Sequence, residues 1–189
     1  MKAIRSLLRP IWLPILEVLK VGAAIGRFII LNWPNTAFGF ALRRKYVTLR
    51  AASVGKNFNM LRGCDIGGYH LMRIGDNSGI SEGVVVNLGP GTNELRLGHG
   101  SFIGPGTYIR NMNHNFDDPR APFIEQGHNG SDIVIGDDVW IGARCVLLAG
   151  TNIGDHCVIA AGSVVSITIP PYAVAGGNPV RVIKKRSIS

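Results

Sequence analysis

The chain is poor in the residues that small domains use to tie distant segments together. It has three cysteines, at positions 64, 145 and 157, in 189 residues. They form no close pair and no metal-ligand spacing, which argues against a zinc site and gives no sign of an oxidising compartment. Charge is sparse at 17%, and acidic charge is almost missing from one region. Residues 1–50 contain Lys2, Arg5, Arg9, Lys20, Arg27, Arg43, Arg44, Lys45 and Arg50 against Glu17 alone. Eleven basic and eleven acidic residues cancel over the remainder, so the whole net charge of +8 belongs to the N-terminal segment. A charge so localised excludes a general nucleic-acid-binding surface.

Long apolar runs are missing too. The longest charge-free stretch of the N-terminal region, residues 28–42, has 15 residues and contains Pro34. A spanning helix needs about 20 apolar residues. No small-residue cleavage site follows a short apolar core, so a secretory signal is not indicated. Ile4, Leu8, Ile11, Ile15 and Val18 recur at helical spacing. Pro10 and Pro14 should break or kink that helix, although Pro14 suits a first helical position. The segment 1–50 therefore reads as helical, basic and apolar. It is either a cap on the domain that follows or, through residues 1–45, a peripheral membrane contact.

What is abundant is glycine, with 25 residues, and a period of six. Ile135, Ile141, Leu147, Ile153, Ile159 and Val165 fall on one register without a slip. The position two before a head holds a small or β-branched residue: Val139, Cys145, Thr151, Cys157, Ser163. No helix repeats every six residues and a simple strand repeats every two. Three short strands per coil, each with an aliphatic knob turned inward, do satisfy this period, so the chain is a β-solenoid. The same register runs upstream through Val54, Met60, Ile66, then Ile74, Ile80, Val86, then Leu97, Ile103, Ile109. Glycine-rich interruptions at residues 67–70 and 89–93 separate these triplets, as corner bulges would. Phe58 is the one bulky residue in the small slot, and the cysteines at 64, 145 and 157 occupy it as packed thiols. At about 18 residues per coil, roughly five to six coils are expected. Residues 51–189 form this domain, ending in Pro170-Pro171 and a basic tail.

The register stops at Ile109 and resumes at Ile135. A polar, turn-rich excursion at about residues 115–132 fills the gap, long enough to carry function. It is preceded by Asn113-His114-Asn115-Phe116.

These residues resemble the hexapeptide-repeat acyltransferases. The resemblance is strongest in residues 135–143 (IGDDVWIGA), 160–165 (AAGSVV) and 177–184 (GNPVRVIK), and it covers residues 54–186. The loop around His114 is similar to that of sugar and polysaccharide O-acetyltransferases related to maltose and galactoside acetyltransferases. The resemblance implies a mainly β fold, a left-handed parallel β-helix with an N-terminal helical segment and a protruding loop. The left hand comes from the family, since period does not fix it. It implies a homotrimer with each active site between neighbouring prisms. It also implies acetyl-CoA as co-substrate, with no metal, and an acceptor among bacterial surface glycans (O-antigen, capsule) or their precursors. The enzyme would then work in the cytoplasm, at the inner face of the membrane.

Transfer from a thioester to an alcohol needs a base, and His is the side chain suited to it near neutral pH. The resemblance places that base at His114. It places acetyl-CoA along Gly142, Ala143, Ala161 and Ser166, with Arg181 and Lys184 on the nucleotide phosphates, while Trp140 either lines this groove or caps a coil corner. A backbone N–H near Gly142 and Ala143 would stabilise the oxyanion. Ile167 stands where relatives commonly carry Lys. Asn87 and Asn113 are the acceptor candidates. Asp117, Asp118 and Glu125 either bond sugar hydroxyls or keep the loop soluble. His128 reads as a surface residue, and His70, His99 and His156 as turn or face positions. No His pair has the five-residue separation that a β-helix carbonic anhydrase would need. Two other readings stand beside this one: transfer to a small soluble acceptor (a sugar-nucleotide amine, serine or an antibiotic), and a non-catalytic β-solenoid binding module.

Overall fold

The computed structural model describes residues 2–187, with side chains from residue 17 onward. Two helices precede the solenoid, α1 (Lys2–Asn32) and α2 (Ala37–Thr48). The expected break at Pro10 or Pro14 is not seen, and α1 is assigned as one helix across both. Thr36 caps α2 by accepting from the Gly39 N–H at 3.2 Å.

From Ser53 the chain winds through parallel coils with three faces. The first face stacks Ser53–Val54, Met72–Ile74, Leu95–Leu97, Ile133–Ile135, Asn152–Ile153 and Thr168–Ile169. The second stacks Asn59–Met60, Gly79–Ile80, Phe102–Ile103, Trp140–Ile141, Val158–Ile159 and Ala173–Gly176, and Arg181–Lys185 closes it as an antiparallel edge. The third stacks Asp65–Gly67, Val85–Asn87, Tyr108–Arg110, Val146–Leu147 and Val164–Val165. The predicted knobs are the stacked partners. Ile74 pairs with Leu97, Leu97 with Ile135, and Ile135 with Ile153. Ile80, Ile103 and Ile141 are each fully buried. This fixes the hexad register over the whole solenoid, both interruptions included.

The small slot has a clear chemical reason. Where it holds a hydroxyl or a thiol, that group mostly donates to a carbonyl further along the winding chain. Ser78 Oγ donates to Gly98 O at 2.6 Å, Ser101 Oγ to Gly136 O at 2.7 Å and Thr151 Oγ1 to Val165 O at 2.8 Å. The thiols of Cys64, Cys145 and Cys157 do the same toward Ser81 O, Ala160 O and Pro170 O. A buried carbonyl without a partner costs about 1–3 kcal/mol, so a small donor is favoured there.

The helices cap the first coil, and three of the N-terminal cations are spent on this. Arg43 is wholly buried and donates to Met60 O, Trp33 O and Asn35 Oδ1 at 2.6–2.8 Å. Arg44 donates to Phe58 O at 2.6 Å, and Arg27 to Asp65 at 2.7 Å.

Candidate active site

The excursion leaves the third face after Tyr108–Arg110 and opens as a two-stranded antiparallel hairpin, Met112–His114 with His128–Gly130. Its base is locked by Asn111, which is buried. Asn111 Oδ1 accepts from Gly89 N at 2.9 Å, and its amide donates to Asn93 O at 2.8 Å. The second interruption of the repeat thus serves as the seat of the hairpin. Beyond the strands, Gln126 gathers the loop. Its amide donates to Asp118 O and Ala121 O at 2.8 Å, and its carbonyl accepts from Asp118 N at 3.0 Å. Asn115 Nδ2 donates to Gln126 O at 2.9 Å. Asp118 itself binds Arg120, whose hydrogen bonds hold its carboxyl below the usual carboxylate range.

His114 is the half-buried side chain of this assembly. It lies directly across the hairpin from His128, and the two rings stand 4.2 Å apart with a tilt of 46°. Phe123 also meets His114 edge-on, at 5.6 Å. His128 is exposed, as expected of a surface residue, yet the structure makes it the immediate neighbour of His114. The Nδ1 atom of His114 is buried and finds no hydrogen-bond partner among the described residues. Beside His128 a cleft of about 320 Å³ is bounded by Pro90, Asn93, Met112, Asn129 and Gly130. Asn113 is exposed on the same strand as His114. Asn87 is exposed at the end of its third-face strand, in register with Arg110 of the coil that launches the hairpin.

The residues expected to hold the donor are spread over the second face and two corners. Trp140 lies on the second face, 61% exposed, stacked between Phe102 and Val158. Ala143 and Ala161 follow at the corner between second and third faces, in successive coils. No acceptor for either alanine N–H occurs among the described residues. Gly142 has a different part. Its N–H is already given to Ile159 O at 2.8 Å, so it cannot serve an oxyanion, and a Cβ there would lie 2.5 Å from Ala161 N. Its absent side chain lets two coils approach. Of the two N–H groups expected near the oxyanion, only that of Ala143 is without an acceptor among the described residues. Ser166 is exposed on the corner after the third face, the one from which the hairpin departs. Arg181 and Lys184 are exposed on the terminal edge of the second face.

The structure therefore brings His114, His128, Asn113 and Asn87 to one side, and Trp140, Ala143 and Ala161 to another. His99 and His156 are corner residues. His99 Nδ1 accepts from Asp76 N at 3.0 Å, and His156 contacts Asp138 at 3.0 Å and stacks on Tyr172. Among the described residues, no group of three or more His, Cys, Asp or Glu is placed to hold a metal ion. Sequence reasoning did not single out Asn111 or Gln126, and it placed His128 on the surface without its contact to His114. The only available signal was their place at the ends of the excursion.

Residues 132–166 match the family described as bacterial transferase hexapeptide (six repeats). A probable acetyltransferase of Mycobacterium tuberculosis is 34% identical over 118 residues, 62% of this chain. The chain spans only 38% of that relative's length. Among solved structures, a maltose O-acetyltransferase from Clostridium difficile superposes with a TM-score of 0.74 at 29% identity, over 85% of this chain and 82% of its own. A hexapeptide-repeat acetyltransferase from Vibrio cholerae, complexed with acetyl coenzyme A, gives 0.73 at 28% identity, over 89% and 88%.

Proposed function

We propose that this hexapeptide-repeat chain is an acetyl-CoA-dependent O-acetyltransferase. Its acceptor would be a sugar hydroxyl of a bacterial surface polysaccharide or its lipid-linked precursor, met at the cytoplasmic face of the membrane. The observation that carries the reading is His114, held against two rings at the mouth of a polar hairpin in a fold shared with acetyltransferases.

In the reaction, His114 takes the proton of the sugar hydroxyl as its oxygen attacks the thioester carbonyl. The tetrahedral oxyanion is met by the Ala143 N–H. The carbon–sulfur bond then breaks, and the imidazolium returns its proton to the departing thiolate. Base catalysis of this kind is worth about 10² to 10⁴ in rate. The free N–H of Ala161, one coil on from Ala143, is suited to an amide carbonyl of the pantetheine arm. Arg181 and Lys184 offer cations for the phosphates. Asn87 and Asn113 face the acceptor side.

The separation of His114 from the alanine row supports a homotrimer in which one chain supplies the base and its neighbour the donor wall. Two exposed apolar surfaces support the same assembly. The excursion presents Phe116, Phe123 and Ile124, and the second face presents Phe102 and Trp140, all more than half exposed. Two different patches meeting head to tail close a ring when the rotation permits.

The test is mass spectrometry of surface glycans from cells with and without the protein. One acetyl group per repeat unit should vanish with the protein. Unchanged glycans, together with acetylation of a soluble amine, serine or antibiotic by purified protein, would move the reading to a small acceptor.

A further inference from the structure

Helix α1 leaves most of its large apolar residues uncovered. Surface helices put their apolar stripe on the core and their charges outward. From residue 17 to 32 only part of this holds: Glu17 and Lys20 are exposed, but so are most of the large apolar residues. Arg27 points inward to Asp65, and Leu31 is buried at 4% exposure against the first coil. Val18, Ile25 and Ile29 lie on the opposite face at 70%, 54% and 48% exposure, flanked by Val21 and Phe28. These positions follow the i, i+7, i+11 spacing of a single helical face. At the end of the helix Trp33 and Phe38 stack edge-on at 5.5 Å, both exposed. Between α1 and α2 runs a groove of about 440 Å³, floored by Ala23, Gly26 and Ile30 and rimmed by Lys45 and Arg50.

We infer that the outward face of α1 and the groove beside it form a docking surface for an anionic lipid bilayer. Three observations select this occupant. Beyond Arg27, Arg43 and Arg44, which the first coil engages, the segment still carries six cations against one acid in a chain otherwise balanced, which complements a negatively charged surface. A second copy of α1 would instead bring two such segments together, against their mutual repulsion. Trp and Phe at the end of an apolar stripe are the side chains suited to the headgroup level. Among the described residues no helix is long and apolar enough to cross a membrane, so the helix lies in the interface. The docking surface gives the membrane placement proposed above a physical means and is independent of the acetyl-transfer chemistry.

The test is co-sedimentation of the full chain with vesicles of phosphatidylcholine alone or mixed with phosphatidylglycerol, alongside light scattering without lipid. The wild type should pellet with the anionic vesicles, weakly with the neutral ones, and less as salt rises. Val18→Ser/Ile25→Ser/Phe28→Ser should bind at least about ten-fold more weakly, because the apolar anchor is gone. Lys45→Gln/Arg50→Gln should lose about five-fold per charge on anionic vesicles only. Neither set touches the catalytic residues, so CoA release with a soluble acceptor stays at the wild-type rate. No binding of the wild type, or undiminished binding of the triple variant, overturns the inference. So does an oligomer that dissociates in the triple variant without lipid, since the face would then belong to a second copy.

Discussion

His114 depends on its neighbours for orientation. Its ring faces that of His128 at 4.2 Å with a 46° tilt and meets Phe123 at 5.6 Å, while Nδ1 has no hydrogen-bond partner among the described residues. Aromatic contacts then do the positioning, at about 0.5–1.5 kcal/mol each. His128→Phe should keep kcat within a few-fold, whereas His128→Ala should lower kcat with little change in the KM for acetyl-CoA. Equal loss in both variants would assign His128 a chemical role of its own. The three thiols make the opposite kind of residue, sealed and inert. Burial raises all three, and Cys64 to about 11. A raised thiol stays protonated at neutral pH and is a poor nucleophile. A chromogenic disulfide reagent should therefore label no buried thiol of the native protein at pH 8, and three after denaturation.

At the scale of the coil, corners decide what a substitution costs. Gly83 sits at φ +65° with open space around its missing Cβ, whereas Gly142 is pressed onto the backbone of Ala161. Gly83→Ala should cost only the left-handed backbone penalty, about 1–2 kcal/mol. Gly142→Ala must also push two coils apart, so its Tm should fall further and its KM for acetyl-CoA should rise. Equal Tm losses and an unchanged KM would remove Gly142 from the donor wall. These elements also show what was legible in the sequence. The knob register could be read from Val54 to Val165 because each coil repeats the same demand on the same position. His114 was legible only through its motif. The roles of Asn111 and Gln126 and the contact of His128 with His114 were not, because the partners lie across a hairpin or on another coil, where no period applies. The outward apolar face of α1 was hidden for a related reason: helical spacing gives a stripe but not the direction in which it points.

The whole molecule divides its labour among corners. In the proposed trimer His114 departs from the corner after the third face and the alanine row stands after the second, so one chain would offer halves of two different sites. His114→Ala and Ala161→Trp chains should each be inactive alone. Co-expressed in equal amounts, they should recover about one quarter of the wild-type sites, because a random neighbour pair must supply one intact half each. No recovery in mixed oligomers would place both halves in the same chain.

The most direct measurement is release of free CoA from acetyl-CoA by purified protein with a glycan acceptor, comparing the wild type with His114→Ala. The wild type should release CoA in an acceptor-dependent way, and His114→Ala should be slower by about 10² to 10⁴ with an unchanged KM for acetyl-CoA. Equal turnover by a folded His114→Ala protein would contradict the assignment of His114 as the base.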